Sequence, residues 1–312
     1  MGSFTAAGTA YATHGQPMIP FYIFYSMFGY QRVGDLVWAF GDARGRGFML
    51  GATAGRTTLN GEGLQHEDGH SPVLFSAVPN VRVYDPAFAY ELAVIIRDGL
   101  QRMFVDDEDV FYYLTLYNEN YPMPRMPAGV DDGIVRGLYM FQAASETRAH
   151  HARIVASGSA MNAALRAQSL LLEQHDVATD VWSATSFHLL REDALDVERW
   201  NRLHPDAEPR TPYVVEQLGS DGPVVAVSDY MKIVPDQIGR FVPAPFIPLG
   251  TDGYGRSDTR AALRRHFEVD AESITVAVLH GLASEQRVPR HEVAAAIEHY
   301  RVDAASLDPR LR

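Results

Sequence analysis

The chain has 312 residues, of which 46% are apolar, with a formal net charge of -12 and no cysteine. The length suits about two domains. The negative charge argues against a nucleic-acid partner, and the lack of cysteine excludes disulfides, thiolate catalysis and cysteine-ligated zinc. The most apolar run, from Met18 to Tyr30, is too short to cross a membrane. No secretory signal is recognisable, so a cytoplasmic protein without a membrane partner is expected.

In the first third of the chain, short apolar runs alternate with glycine-rich turns. Four of these runs predict buried strands, namely PMIPFYIFY, GFMLGATAG, VRVYDP and VFYYLTLYN. Between them, the segment PAFAYELAVIIRDGLQRMF predicts a helix, and an earlier helix is predicted by apolar residues at helical spacing, which are Val33, Leu36, Val37 and Phe40.

A break in this pattern follows at residues 118–133, which carry three prolines and predict a linker. Beyond it, ARIVASGS and DVWSATS predict strands and AMNAALRAQSLLLEQH predicts a helix, while GPVVAVSD and ESITVAVLHGLAS continue the alternation. Strands that alternate with helices favour parallel sheets covered on both faces. We therefore predict an α/β chain of two domains, 1–125 and 126–312, each with a mostly parallel sheet covered by helices.

Residues 66–70 spell H-E-D-G-H and match the zinc-protease pattern H-E-x-x-H. That pattern binds zinc because one helix places both histidines on the same face. Here Gly69 lies inside the motif, and Pro72 disfavours helical geometry at Ser71. The context predicts a loop rather than a zinc helix, and no metal ligand is predicted in this chain.

The glycine-rich segments GATAGRTTLNGEG and SGSAMNAAL lack the spacing of the common nucleotide-binding loops. The aromatic run is more informative, because Phe28, Tyr30 and Arg32 come after the predicted strand, at its carboxyl end. Ligands of open α/β sheets bind at that edge, and an aromatic side chain there can stack on a flat ring.

His66 taken alone is most simply a histidine of a surface loop. However, Glu67, Asp68 and His70 crowd the same polar loop between two predicted elements. Catalytic groups concentrate in such loops when a rigid scaffold holds them. The loop is therefore a candidate functional segment.

Long stretches of the chain resemble one enzyme family, the homodimeric bacterial pyruvate dehydrogenase decarboxylating component, which uses thiamine diphosphate and belongs to the transketolase superfamily. The resemblance is carried by PMIPFYIFYSMFGYQRVGDLVWAFGDARGRGFMLGATAGRTTLNGEGLQHEDGHS, YNENYPMPRMP, DVWSATSFHLLRED and LGTDGYGRSDTRAALRRHFEVDAESITVAVL. It covers essentially the whole chain. It implies that residues 1–125 are the pyrimidine-side domain and residues 126–312 a transketolase-type C-terminal domain.

The resemblance also implies roles for five residues. His66 is expected to be catalytic, facing the reacting carbon of the cofactor, and Tyr25 is expected beside the substrate adduct. Phe28 is expected to stack on the aminopyrimidine of thiamine diphosphate. Arg32 and Glu62 are expected in a polar network between the two cofactors of a dimer.

The implied reaction is oxidative decarboxylation of pyruvate followed by reductive acetylation of a lipoyl group. The implied cofactors are thiamine diphosphate and magnesium, and the implied partner is the lipoyl domain of dihydrolipoyl acetyltransferase. In the family, an N-terminal domain binds the diphosphate and the magnesium, and an activating glutamate lies just before the equivalent of Met1. We therefore expect the chain alone to be inactive.

The same comparison predicts an exposed aromatic surface near Tyr25, Phe28 and Tyr30, used for self-association or for binding a diphosphate-binding domain or subunit. Two further interpretations stay open. In the first, the chain is one subunit of a split thiamine-diphosphate-dependent 2-oxoacid enzyme. In the second, it is a non-catalytic remnant that serves assembly or regulation.

Overall fold

A computed structural model describes all 312 residues, with two sheets that follow one another along the chain. The first sheet contains β1 (Phe21–Tyr25), β2 (Phe48–Ala52), β3 (Val81–Tyr84) and β4 (Phe111–Leu116). All its pairings are parallel, in the order β1-β2-β4-β3. The helices of this part are α1 (Gly2–Gly8), α2 (Ala10–His14), α3 (Gly29–Asp42), α4 (Ser71–Phe75) and α5 (Ala89–Phe104).

The second sheet contains β5 (Tyr139–Gln142), β6 (His150–Ala156), β7 (Val177–Ser183), β8 (Val224–Val227) and β9 (Phe246–Leu249). Its order is β5-β7-β6-β8-β9, and only the pairing of β5 with β7 is antiparallel. Its helices are α6 (Asp131–Arg136), α7 (Met161–His175), α8 (Phe187–Leu203), α9 (Tyr213–Leu218), α10 (Ile233–Asp236), α11 (Arg260–His266), α12 (Ala271–Ser284) and α13 (Arg290–His299). No helix is both long and apolar enough to span a bilayer.

We call residues 1–116 the first unit and residues 131–312 the second unit. The irregular segment between them contains no helix or strand, as its prolines predict. The proposed domain boundary near residue 125 falls inside this segment.

The strand β4 in the interior of the first sheet is buried on both faces. Phe111 and Tyr113 pack against α3 and α4, while Tyr112 and Leu114 pack on the opposite face against α5. Successive side chains of a strand point to opposite faces, so a strand buried on both sides becomes continuously apolar. The predicted α/β class with helix-covered, mostly parallel sheets is confirmed.

Several elements differ from their predictions. DVWSATS was expected as a strand, but β7 begins and ends three residues earlier in the chain. The helix α3 departs from helical dihedral angles at Val33 (φ -129°), and Leu36 is exposed while Val37 and Phe40 are buried. Val33 packs against the same core as Val37 and Phe40, so three of the four predicted apolar positions lie on the buried face and only Leu36 does not. The edge strand β9 was not predicted, because it contains Pro248 and proline is uncommon inside strands.

A buried carboxylate at the end of β3 joins the two units. Asp85 accepts hydrogen bonds from the hydroxyls of Thr115, Tyr117 and Ser157, each at 2.6 Å. Burial raises the pKa of Asp85, while these three bonds act in the opposite direction. Because Ser157 follows β6 of the second unit, the carboxyl ends of strands from both sheets meet at this point.

Candidate active site

The predicted site residues lie at the carboxyl ends of β1 and β2. Tyr25 is the last residue of β1, and Phe28 closes the 3-10 turn Ser26–Phe28 that leads into α3, where Arg32 lies. The loop after β2 carries Glu62 and the 3-10 turn Leu64–His66. Tyr25 pairs with Ala52 in the parallel ladder, so both segments start at the same sheet edge.

Three aromatic rings form a cluster at this edge. The centroid of the His66 ring is 5.3 Å from that of Tyr25 and 5.3 Å from that of Phe28, and the Tyr25 and Phe28 centroids are 5.8 Å apart. His66 meets Phe28 at an interplanar angle of 86°, an edge-to-face contact. Tyr25 is 38% exposed, so the cluster opens to solvent.

Two charged side chains flank these rings. The Arg32 guanidinium carbon lies 4.4 Å from the centroid of Phe28, within the range of a cation–π contact. A Glu62 carboxylate oxygen lies 3.2 Å from His66 Nδ1, at an angle outside hydrogen-bond geometry. The structure thus brings all five predicted site residues together, while their individual roles stay predictions.

The H-E-D-G-H segment does not form a helix, as its glycine and proline context predicts. His66 closes a 3-10 turn, Glu67 is extended, and His70 immediately precedes α4. His70 Nε2 lies 2.5 Å from the side-chain amide of Gln31, so the two histidines have different neighbours. No group of three or more histidine, aspartate or glutamate side chains is arranged to hold a metal ion.

We expect the purified chain to bind no stoichiometric zinc at the loop from His66 to His70. The two imidazoles are not held one turn apart on a helix, which is what the zinc-protease pattern requires. Elemental analysis after dialysis without chelator measures this directly. One tightly held zinc per chain, lost on His70→Ala, would show the prediction to be wrong.

Asp68 fixes the position of the loop relative to the aromatic cluster, a role that the sequence did not reveal. Its carboxylate is fully buried and accepts the Ser26 hydroxyl at 2.5 Å. It also accepts the backbone N–H groups of His70 and Ser71, both at 3.0 Å. Asp68 therefore links the turn that precedes Phe28 to the loop that carries His66. An aspartate shortly before Ser-Pro was the available signal, since it is typical of a helix start.

The glycine of the motif is required by Arg56. A Cβ atom added at Gly69 would collide with the buried Arg56 guanidinium, which donates a hydrogen bond to the carbonyl of Thr251. Burial lowers the pKa of Arg56, and the nearby carboxylates of Asp68 and Asp229 oppose that effect. Asp68 and Gly69, between the two histidines, thus each have a structural reason of their own.

Asp229 lies at the end of β8 and closes the other side of this buried polar region. Its carboxylate accepts the backbone N–H of Thr57 at 3.1 Å and the Ser159 hydroxyl at 3.3 Å. Burial raises the pKa of Asp229 to about 7, against the opposing effects of Arg264 and Thr57. In the sequence, Asp229 is the last residue of the segment GPVVAVSD, and an acidic residue at the end of such an apolar run is a signal for this position.

We expect Asp229 to make the chain less stable as the pH rises towards neutrality. Its folded pKa of about 7 exceeds the ordinary 3.8, so the folded chain binds more protons than the unfolded chain in this window. The free energy of unfolding therefore falls as the pH rises from about 4 to about 7. Between about pH 5 and about pH 7, the expected fall is on the order of 3 kcal/mol.

Urea unfolding of the unmodified chain and of Asp229→Asn, at about pH 5.5 and about pH 8, measures this contribution. Burial also raises the pKa of Glu67 to about 7, and the charge of Asp229 acts in the same direction, so the variant weakens the contribution of Glu67 as well and the two effects have the same sign. The variant should lose less stability than the unmodified chain between the two pH values. Equal losses would contradict the assignment.

An apolar surface continues from the site along β1, which is an edge strand. Four large side chains of this surface, which we call the β1 face, are between 46% and 63% exposed, namely Met18, Ile19, Phe21 and Ile23. Tyr30, which was expected on the exposed surface, instead packs edge-on against Phe75 at 4.9 Å between centroids. The exposed patch therefore follows β1 rather than α3.

The fold is that of transketolase-like proteins. The structure superimposes on transketolase from Leishmania mexicana with a TM-score of 0.64 at 19% identity, over 86% of this chain and 34% of that one. It superimposes on the Campylobacter jejuni transketolase with a TM-score of 0.65 at 16% identity, over 88% of this chain and 38% of that one. A third neighbour is a split-gene transketolase described as an inactive tetramer of beta chains. The superposition has a TM-score of 0.63 at 18% identity and covers 91% of this chain and 80% of that one.

Sequence comparison defines the family within that class. Residues 1–124 match the pyruvate dehydrogenase E1 component middle domain, and residues 137–270 match the transketolase-like C-terminal domain. The chain thus carries the middle domain of a pyruvate dehydrogenase E1 component followed by a transketolase-like C-terminal domain, and it corresponds to the C-terminal portion of the E1 components. The predicted resemblance is confirmed.

Individual E1 components are similar along almost the whole chain. The E1 component of Pseudomonas aeruginosa is 52% identical over 311 residues, which are 99% of this chain and 35% of that protein. The E1 component of Mycolicibacterium smegmatis is 55% identical over 97% of this chain and 33% of that protein. The E1 component of Escherichia coli K12 is 50% identical over 99% of this chain and 35% of that protein. The chain spans about a third of the length of these curated relatives.

Proposed function

We propose that the chain supplies the pyrimidine-side half of a thiamine diphosphate site in a cytoplasmic enzyme that decarboxylates pyruvate and acetylates a lipoyl group. The lipoyl group would be that of a dihydrolipoyl acetyltransferase. Residues 1–125 would form the pyrimidine-side domain and residues 126–312 the transketolase-type C-terminal domain. One observation carries the proposal: Tyr25, Phe28 and His66 form a single ring cluster at the carboxyl edge of the first sheet.

The residues at this edge fit the aromatic end of thiamine diphosphate. Phe28 presents an aromatic surface at a site open to solvent, with the guanidinium of Arg32 beside the same ring. A flat heteroaromatic ring stacks favourably on such a surface. When bound, thiamine diphosphate supplies the nucleophile and electron sink that decarboxylation of a 2-oxoacid requires.

The diphosphate end has no comparable place among the residues of this chain. Magnesium bound with a diphosphate takes one or two carboxylates from the protein, and the acidic side chains near the site are engaged elsewhere. Asp68 and Asp229 are buried in hydrogen bonds, and Glu62 faces His66. We therefore propose that a separate domain or subunit holds the magnesium and the diphosphate.

The chemistry proposed for this chain centres on His66. Its Nδ1 faces Glu62, which leaves Nε2 free to face a bound substrate. Imidazole can give up and regain a proton near neutral pH. His66 would hold a proton at Nε2 for the ketone oxygen of pyruvate, and the Glu62 carboxylate would stabilise the charged imidazolium. Tyr25, 5.3 Å from His66 between ring centroids, would bound the substrate on one side.

A split enzyme is the second candidate, and one structural neighbour favours it. The superposition covers 80% of the chain of the split-gene transketolase that is described as an inactive tetramer of beta chains. A chain of this size and fold thus exists as a separate and inactive component of another enzyme. In that case the diphosphate-binding domain would be supplied by a second polypeptide.

We expect the isolated chain to self-associate through the β1 face. Phe21 and Ile23 of that face lie on β1, whose outer edge is unpaired, and Met18 and Ile19 lie just before it. Such exposed edges pair readily with other chains. Sedimentation velocity at micromolar concentration should show dimers or larger species, and Ile23→Glu should shift them towards monomer. A stable monomer at these concentrations would contradict the prediction.

The proposed function is tested with a chimera, in which this chain replaces the matching third of the Mycolicibacterium smegmatis E1 component. Pyruvate-dependent reduction of a dye acceptor should appear in the chimera and be absent from the isolated chain. The unmodified relative is the positive control, and other 2-oxoacids test the substrate. A folded chimera that consumes neither pyruvate nor another 2-oxoacid would refute the proposal.

A further inference from the structure

The loop that carries His66 is held by the second unit as well as by the bonds of Asp68 and Ser71 to Ser26 of the first unit. Backbone and side-chain hydrogen bonds reach it from segments that follow β8 and β9. These bonds are Thr57 N to the Asp229 carboxylate at 3.1 Å, Gly61 N to Asp258 O at 3.1 Å, Met231 N to Gly69 O at 2.8 Å and Arg260 Nε to Thr58 O at 2.8 Å.

The closest of these contacts surrounds His66 itself. The backbone N–H of Arg256 donates to the Glu67 carboxylate at 2.6 Å. A Cβ atom added at Gly255 would lie 2.6 Å from that carboxylate and 2.7 Å from the carbonyl of Leu64. No real Cβ atom approaches heavy atoms so closely, so only glycine fits. Leu64 and Glu67 lie on either side of His66, and the Gly255–Arg256 turn therefore supports its backbone.

His66 has few other supports. Its ring packs against Tyr25 and Phe28 in the half-open cluster and lies beside the partly exposed Glu62. Phe28, in contrast, is fixed by β1 and α3 of the first unit. Asp68, which binds Ser26, ties the loop to the first unit two residues beyond His66. The contacts of Gly255 and Arg256 with Leu64 and Glu67 are therefore those that hold the backbone on the two sides of His66.

We propose that the Gly255–Arg256 turn of the second unit is a positioning element for His66, acting through Glu67. This inference rests on the proposed function and deepens it, because it gives the C-terminal unit a part in placing the proton-transfer group. Misplacing a catalytic group by about 1 Å can cost about a hundredfold in rate. The turn touches no proposed cofactor-binding residue, so its effect should fall on turnover and spare cofactor affinity.

The test uses Gly255→Ala in the chimera. The φ of Gly255 lies outside the left-handed region, so alanine is allowed by the backbone and acts only through the crowded Cβ. We expect kcat to fall about ten- to a hundredfold, with thiamine diphosphate affinity unchanged within about twofold. Gly2→Ala is the matched control, because a Cβ at Gly2 meets nothing within 4 Å.

A second pair of variants guards against misfolding of Gly255→Ala. Glu67→Ala removes the acceptor for the Arg256 N–H and should lower kcat to a similar extent. Glu67→Gln keeps an acceptor oxygen and should restore most of the activity. If both Glu67 variants are folded and fully active, the proposal is wrong.

The His66 ring signals of the isolated, histidine-labelled chain give a reading that does not depend on activity. His66→Ala identifies them in the NMR spectrum. They should shift in Gly255→Ala and Glu67→Ala and stay in place in Gly2→Ala and Glu67→Gln. If the signals of the isolated chain shift as expected while the chimera has no activity, the positioning role is upheld and the proposed function is contradicted. Unmoved signals in a Gly255→Ala chain of normal thermal stability would overturn the positioning role.

Discussion

We expect His66→Ala to lower the turnover of the chimera by roughly two decades or more and to leave its affinity for thiamine diphosphate nearly unchanged. A positioned proton donor typically contributes about two to four decades of rate, and its effect is felt mainly in the transition state. The structure leaves Nε2 of His66 free because Nδ1 faces Glu62 at 3.2 Å. Phe28→Ala has the complementary effect, since loss of the stacking surface weakens cofactor binding.

Dye-coupled pyruvate oxidation measures turnover, and a parallel titration measures cofactor affinity. His280→Ala serves as the control, because His280 is exposed on α12 away from the ring cluster. Unchanged turnover in His66→Ala would refute the catalytic role and return this histidine to an ordinary surface loop.

Replacing Glu91 by alanine lowers the free energy of unfolding by about 3–5 kcal/mol. The side chain is fully buried and accepts the N–H groups of Ala87 and Phe88 at 2.5 and 3.0 Å. It also accepts the hydroxyls of Tyr139 and Ser183, each at 2.6 Å, and so joins α5 to the second sheet. Alanine leaves the N–H groups of Ala87 and Phe88 and the Ser183 hydroxyl without this acceptor in the interior, while the Tyr139 hydroxyl keeps Tyr90 as a partner.

Glu91→Gln is the matched control. Its amide oxygen can accept the two backbone N–H groups, and its NH₂ can donate to the two hydroxyls after they rotate. Burial already raises the pKa of Glu91, so loss of the negative charge costs little. Urea unfolding followed by tryptophan fluorescence should show a much smaller loss for glutamine than for alanine. Similar losses for both would show that the hydrogen bonds contribute little.

The parts of the fold that were predictable are those that local pattern determines. β4 is continuously apolar because both of its faces are covered, and α5 shows a regular helical period. β5 and β9 were missed because edge strands are short and only partly buried. β9 also carries Pro248, which a strand tolerates only where no ladder bond is needed.

The candidate site shows the same division. Tyr25, Phe28 and His66 could be named because the resemblance identified them and because neighbouring parallel strands end at the same edge. Arg56, which contacts Thr251, and Glu67, which contacts Arg256, join positions far apart in the chain. Those contacts depend on how the two sheets pack together, which no local pattern encodes.

The most direct test of the two-part cofactor site is a calorimetric titration of thiamine diphosphate with magnesium. It compares the isolated chain, the remaining portion of the Mycolicibacterium smegmatis relative, and the chimera that joins them. We predict tight binding in the chimera alone, weakened by Phe28→Ala. Equally tight binding to the isolated chain, or a folded chimera that binds no cofactor, would contradict the account.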